Sequence, residues 1–201
     1  MFVTFEGPEG AGKSTVLRTL AKELRAAGRM VCETREPGAG VFGGQVREWL
    51  LHGDVISARA ELMLFLADRA EHMAAIVEPA LERGEIVLCD RHADSTVVYQ
   101  GHARGLDLDF LRQANRFATS GRVPDLTLLL DLPAALGLAR AKGGDRLDAE
   151  PLEFHEKVRA GFLSEAEREP DRWRVIDATL PVEEVVARCG VEIRRRAPSP
   201  R

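Results

Sequence analysis

A chain of 201 residues, 45% hydrophobic and 30% charged, has enough apolar residues to fill one core and is not composed like a disordered chain. Its longest apolar runs, such as 86–89 and 127–130, are far shorter than the roughly 20 residues that span a bilayer, so no membrane partner is expected. A formal charge of −4 gives no general attraction to nucleic acid, and an anionic ligand has to be held by individual arginines, of which there are 24 against four lysines.

In chain order, residues 2–5 form the first strand and lack the basic, apolar and small-residue zones of a signal peptide, so the expected compartment is the cytoplasm. A helix over 13–27 stops at Gly28, a strand follows at 30–32, and a long helix over 57–83 stops at Gly84. Pro79 has no backbone donor, which predicts a kink or break near Val77 and Glu78. A strand at 86–89 comes next, then a helix capped by Asp107 and running to residue 120, then a strand at 126–130. Pro133 opens a helix to residue 142, Pro151 opens one to residue 169, a strand lies at 173–176, and Pro181 starts the last helix.

Five short apolar strands separated by helices predict an α/β fold, a five-stranded parallel sheet with helices on both faces, in a single domain over residues 1–196. Lys142-Gly143-Gly144-Asp145-Arg146 is too rich in glycine to stay helical and reads as a short lid loop over 141–149. Residues 197–201 have nothing apolar to bury and read as a disordered tail. Cys32, Cys89 and Cys189 are odd in number and widely spaced, so reduced thiols are expected, and the five histidines show no zinc-ligand spacing.

Gly7-Pro8-Glu9-Gly10-Ala11-Gly12-Lys13-Ser14 has the form G-x-x-x-x-G-K-[ST] and lies between the first strand and the first helix, as a P-loop must. Gly10 and Gly12 let backbone N–H groups turn inward on phosphate oxygens, and the helix that begins at Lys13 adds the positive end of its dipole. Lys13 supplies an ammonium for the β- and γ-phosphates, Ser14 a hydroxyl for Mg²⁺, and Thr15 follows them into the helix, so ATP with Mg²⁺ is the expected ligand. The loop alone does not separate a kinase from a GTPase, a motor or a switching ATPase, but a guanine-reading Asn-Lys-x-Asp is absent. Asp90-Arg91 follows a central strand, where both side chains emerge beside the phosphate loop. Asp90 then has a role at the metal's water shell and Arg91 clamps donor and acceptor phosphates; a structural ion pair is the other reading.

Thr34-Arg35-Glu36-Pro37-Gly38, Asp90-Arg91-His92 and Ser95-Thr96-Val97-Val98-Tyr99-Gln100-Gly101, with the P-loop before them, resemble the signatures of thymidylate kinases. Pro124-Asp125-Leu126-Thr127, Leu130-Asp131 and Val175-Ile176-Asp177-Ala178 extend the resemblance over residues 1–190. It implies the nucleoside-monophosphate-kinase fold, transfer of the ATP γ-phosphate to dTMP to give dTDP, and a homodimer. By resemblance, Arg35 holds the acceptor phosphate, Phe65 stacks on thymine and Arg69 reads its O4. Ser95 and Thr96 face the N3 edge, Gln100 belongs to the same acceptor set, Tyr99 packs where a 2′-hydroxyl would sit, and Glu9 lies near the 3′-hydroxyl. Gly10 stands where some members carry a catalytic arginine, which resembles the bacterial type whose basic lid residues close over ATP. Lys142 and Arg146 are then the lid cations and Arg140 packs on adenine, although this lid is shorter and poorer in arginine, and Gly38-Ala39-Gly40 replaces the usual Gly-Gly-Thr.

Two further readings stay open. A deoxynucleoside kinase acting on thymidine would need Glu9 or Glu36 as a base for a neutral hydroxyl. A P-loop ATPase switch would hydrolyse ATP without any acceptor.

Overall fold

The computed structural model describes residues 1–141, 146–147 and 149–197. Most of the expected lid, including Lys142, and residues 198–201 of the expected tail lie outside the described residues.

Five strands, β1 (Phe2–Glu6), β2 (Val31–Arg35), β3 (Ile86–Asp90), β4 (Leu126–Asp131) and β5 (Trp173–Asp177), form one sheet in the order β2-β3-β1-β4-β5. Every pairing is parallel. Parallel strands need crossovers, and the helices that make them cover both faces, which is why β1, β3 and β4 are almost wholly buried and apolar. The chain leaves the central β1 first to one side and later to the other, so the crevice opens above its carboxyl end. Register lines up the functional ends: Phe5 and Arg35 both sit opposite Asp90, and Glu6 sits opposite Leu129.

Side chains alternate across β1 with period two. Val3 and Phe5 pack under α1 (Lys13–Ala26) and α9 (Val182–Arg196) with Val16, Leu20, Val185 and Cys189. Phe2 faces the opposite layer with Met73, Val77 and Cys89. Thr4 and Glu6 follow Phe2 in this alternation, and the Thr4 hydroxyl is shared with that of Thr127 at 3.0 Å. On that side α8 (Leu152–Arg168) brings Phe154, Val158 and Phe162 against Tyr99 and Leu129.

Near Pro79 the helical backbone continues without a break but changes pitch. α3 (Ala58–His72) widens into a π turn over Met73–Val77 before α4 (Glu78–Glu82), in which Pro79 takes an early position. The wider turn accommodates the proline ring and its missing donor. Sequence reading assigned no element to α2 (Gly40–Leu51). Gly43 is there for packing: a Cβ on it would lie 2.6 Å from Asp68 Oδ1 of α3. Also missed was α5 (Ala93–Thr96), which continues as a second π segment, Val97–Ala103. The remaining helices, α6 (Leu108–Ala118) and α7 (Ala134–Arg140), fall where Asp107 and Pro133 predict them, and the Asp107 carboxylate accepts from Phe110 N at 2.7 Å.

Candidate active site

Two glycines of the P-loop, Gly7 and Gly10, lie directly against other backbone. Gly7 has φ 142° and a Cβ there would lie 2.4 Å from Leu130 O; Gly10 has φ 67° and a Cβ would lie 2.0 Å from Gly137 O in α7. Side chains are excluded at both positions by β4 and α7, and the loop wraps around the Lys13 ammonium, which donates to Gly7 O at 2.9 Å and Pro8 O at 2.8 Å. Burial, reinforced by Arg91, pulls the lysine down to about 8 against the opposing pull of Glu9, Asp90 and Glu6. Thr15 lies exposed in the first turn of α1 and lines the same cleft. The Ser14 hydroxyl donates to Asp90 Oδ2, so the two oxygen groups expected at the metal are adjacent.

Arg91 lies at the centre. Its guanidinium bonds Glu9 Oε2 at 2.5 Å and Ser95 Oγ at 3.2 Å and lies over the Tyr99 ring, 5.0 Å from its centroid. The Tyr99 hydroxyl donates to Glu9 Oε1 at 2.6 Å. Burial alone would raise the Glu9 carboxyl, but Arg91, Lys13 and the Tyr99 hydroxyl overcome it and hold the group at about 2. Glu9 is therefore a fixed anion and a poor base.

On the acceptor side, Arg35 is exposed at the end of β2 and lines the cleft with Phe65, Ser95, Thr96, Tyr99 and Gln100. The cleft, of about 330 Å³, runs without a break from these residues to Gly10–Thr15, which suits a site holding two substrates end to end. Arg69 also lines it but is 1% exposed, and every guanidinium nitrogen already has a protein partner. Nε donates to Glu36 Oε2 at 2.9 Å, Nη1 to Thr96 Oγ1 at 2.9 Å and Asn115 Oδ1 at 2.7 Å, and Nη2 to His92 O at 3.1 Å. Gln100 Nε2 donates to Glu61 Oε1 at 2.8 Å, which fixes its amide.

Glu36 is the hub of this half. It is fully enclosed, pairs with Arg69, and accepts from His72 Nδ1 at 2.7 Å and His92 Nδ1 at 2.8 Å through one oxygen. Burial opposes its charge, yet Arg69 and the histidines hold its carboxyl well below the usual range, so it accepts only and fixes both imidazole tautomers. Burial lowers His92, which is therefore neutral. Sequence reading weighed Glu36 only as a base; its place between Arg35 and Pro37 in the motif was the available signal.

Of the remaining expected residues, Arg140 and Arg146 have partners within the protein. Arg140 ends α7 and donates to Ala178 O at 2.8 Å, and it does not line the cleft. Arg146 pairs with Glu61 and reaches Leu50 O at 3.3 Å, so the structure brings it to α2 and α3 rather than to Lys13. A charged group seeks a buried counter-charge, and Glu61 is 1% exposed. Lys142 lies outside the described residues. Glu6, to which sequence reading gave no role, is completely buried, and burial with the nearby Asp94 pushes its carboxyl up to about 8.

Comparison with known proteins agrees with this geometry. The family model described as thymidylate kinase matches residues 5–189. The thymidylate kinase of Thermomicrobium roseum is 54% identical over 188 residues, covering 92% of this chain and 90% of that protein. That of Deinococcus radiodurans is 50% identical over 200 residues, covering 98% and 97%. The crystal structure of thymidylate kinase from Ehrlichia chaffeensis superposes with a TM-score of 0.82 at 31% identity, over 96% of this chain and 97% of that one. With a P-loop, a Ser14–Asp90 pair and an arginine-lined acceptor cleft in one crevice, the chain belongs to the thymidylate kinase family.

Proposed function

We propose that this chain transfers the γ-phosphate of ATP to dTMP, giving dTDP and ADP, in the cytoplasm. The observation that carries the reading is the unbroken cleft from Lys13 and Ser14, past Arg91, to Arg35, Phe65 and Tyr99, on a chain of this family.

An acceptor phosphate monoester has a second pKa of about 6 and is largely dianionic at pH 7, so its oxygen attacks without a general base. That suits a cleft in which both Glu9 and Glu36 are tied up as fixed anions. The attacking oxygen bonds to the γ-phosphorus as the bond to the bridging oxygen of ADP breaks, and the chain's task is alignment and charge neutralisation. Lys13 meets the donor phosphates, exchanging its loop carbonyls for them. Arg35 orients the acceptor phosphate as a bidentate fork, and Arg91 lies between the two to meet charge on the moving group. A bound Mg²⁺ would add charge neutralisation on the donor phosphates, held by Ser14 and Asp90 directly or through water.

Phe65 supplies the stacking face for thymine and Ser95 and Thr96 its polar edge. Tyr99, pinned on Glu9, fills the space beside the sugar and favours deoxyribose. Arg69 acts on the base through a guanidinium already locked in place by Glu36 and Asn115. A homodimer is part of the proposal: Phe110 and Phe117 on α6 and Met63 on α3, two helices packed together, are large exposed apolar side chains.

Coupled ADP release with Mg-ATP tests the reading against dTMP, dUMP, other monophosphates and thymidine. Selective turnover of dTMP is expected. Turnover of thymidine alone would replace it with a nucleoside kinase, and acceptor-independent hydrolysis with an ATPase switch.

A further inference from the structure

We infer that Glu6 is the positioning residue of Arg91, gripping the Arg91–Ser95 segment at two points from within the sheet; the inference rests on the phosphotransfer reading above. Arg91 has φ 67°, in the left-handed region that a residue with a Cβ rarely occupies. Such a conformation is strained and persists where the surroundings over-determine it. Its own N–H is held by Phe5 O at 3.0 Å. The next N–H, of His92, donates to Glu6 Oε1 at 2.8 Å, and Glu6 Oε2 is hydrogen-bonded to Ser95 Oγ at 2.6 Å. Ser95 Oγ in turn accepts from Arg91 Nη1 at 3.2 Å. One carboxyl group thus fixes the backbone just beyond the strained residue and the hydroxyl against which its guanidinium leans.

Arg91 and Lys13 act on Glu6 through their charge, but neither is joined to it by an ion pair among the described residues. Its two hydrogen bonds are to a neutral amide and a neutral hydroxyl. The acidic neighbour Asp94 is committed to Arg172 through paired 2.7 Å contacts and to Thr127. A carboxyl group buried on these terms is unfavourable by itself, and what it contributes is the aim of Arg91 into the cleft.

The test is a set of variants assayed with Mg-ATP and dTMP, each with its thermal unfolding measured. Glu6→Ala is expected to lower kcat about 100-fold while KM for Mg-ATP stays within about twofold, the size of effect that a misplacement of about 1 Å produces. Glu6→Gln, which keeps an acceptor for His92 N and a polar partner for Ser95, is expected to recover kcat to within about fivefold of wild type. In an Arg91→Ala background, Glu6→Ala is expected to add less than about twofold, because a residue that acts only through Arg91 has nothing left to act on. Glu6→Asp, too short to span both partners, carries the same test if the alanine variant does not fold: it should lower kcat about tenfold alone and add nothing to Arg91→Ala. Full turnover by Glu6→Ala, or losses at residue 6 that multiply with that of Arg91→Ala, would overturn the inference. Wild-type protein that does not turn over dTMP would instead remove the reading on which it rests.

Discussion

The two halves of the cleft are built in opposite ways. The donor half is eight consecutive residues whose backbone does the work, with Gly7 and Gly10 pressed against Leu130 and Gly137 so that the loop closes around Lys13. The acceptor half is made of side chains from the segments just after β2 and β3 and from α3, α5 and α6, which meet at Glu36 and Arg69. Contiguous backbone survives the loss of a distant side chain, whereas a shared buried charge does not.

Removing the hub should therefore break the acceptor half and the stability of the fold together. Glu36→Ala leaves Arg69 buried without its counter-charge, and breaking a buried pair in this way costs about 3–5 kcal/mol, read as a lower urea midpoint. In the folded state the Glu36 carboxyl is held well below its ordinary 4.5, so its contribution is fully present above pH 4.5 and is lost as pH falls towards the folded value. The stability gap between wild type and Glu36→Gln should accordingly narrow on acidification below pH 4.5. A gap that stays constant with pH would mean that Glu36 is not the charged hub.

The same contrast explains what could be read from the residues alone. The phosphate loop, the five strands and the irregularity before Pro79 depend on local backbone chemistry and on apolar runs, and these are visible in a linear string. α2 was hidden because Gly43, a helix-weakening residue, is required by Asp68 25 positions later. Arg146 reads as a lid cation by resemblance, yet its partner Glu61 belongs to α3, and nothing near residue 146 announces it. Glu6 looks like an ordinary strand end; its role depends on His92 and Ser95, more than 80 residues away in sequence. Resemblance supplied the acceptor residues as a set, but not the fact that Arg69 is fully engaged within the protein.

A second way to sharpen the comparison is to cut the residue that joins the halves. Arg91→Ala is expected to lower kcat about 10²- to 10³-fold, roughly 3–4 kcal/mol of transition-state stabilisation, in the assay of ADP release. Binding of Mg-ATP should change little, because the loop's backbone cradle and Lys13 remain. An Arg91→Ala enzyme with near-normal kcat would detach Arg91 from the chemistry and leave it as the ion-pair partner of Glu9.

The smallest expected effect separates general destabilisation from damage to one half. Asp107 caps α6 through Phe110 N, and Asp107→Ala should cost about 1 kcal/mol, seen as a lower melting temperature. Asn115 lies two turns further along the same helix, where its Oδ1 accepts from Arg69 and its Nδ2 donates to Ala93 O at 3.0 Å. Fraying at a helix end is confined to the first turn, so both Michaelis constants should stay within about twofold of wild type. A rise in KM for dTMP alone would show that the acceptor half feels strain carried along α6 from its first turn. The side-chain network would then extend beyond the residues that line the cleft, while the phosphate loop, which depends on none of them, kept its affinity.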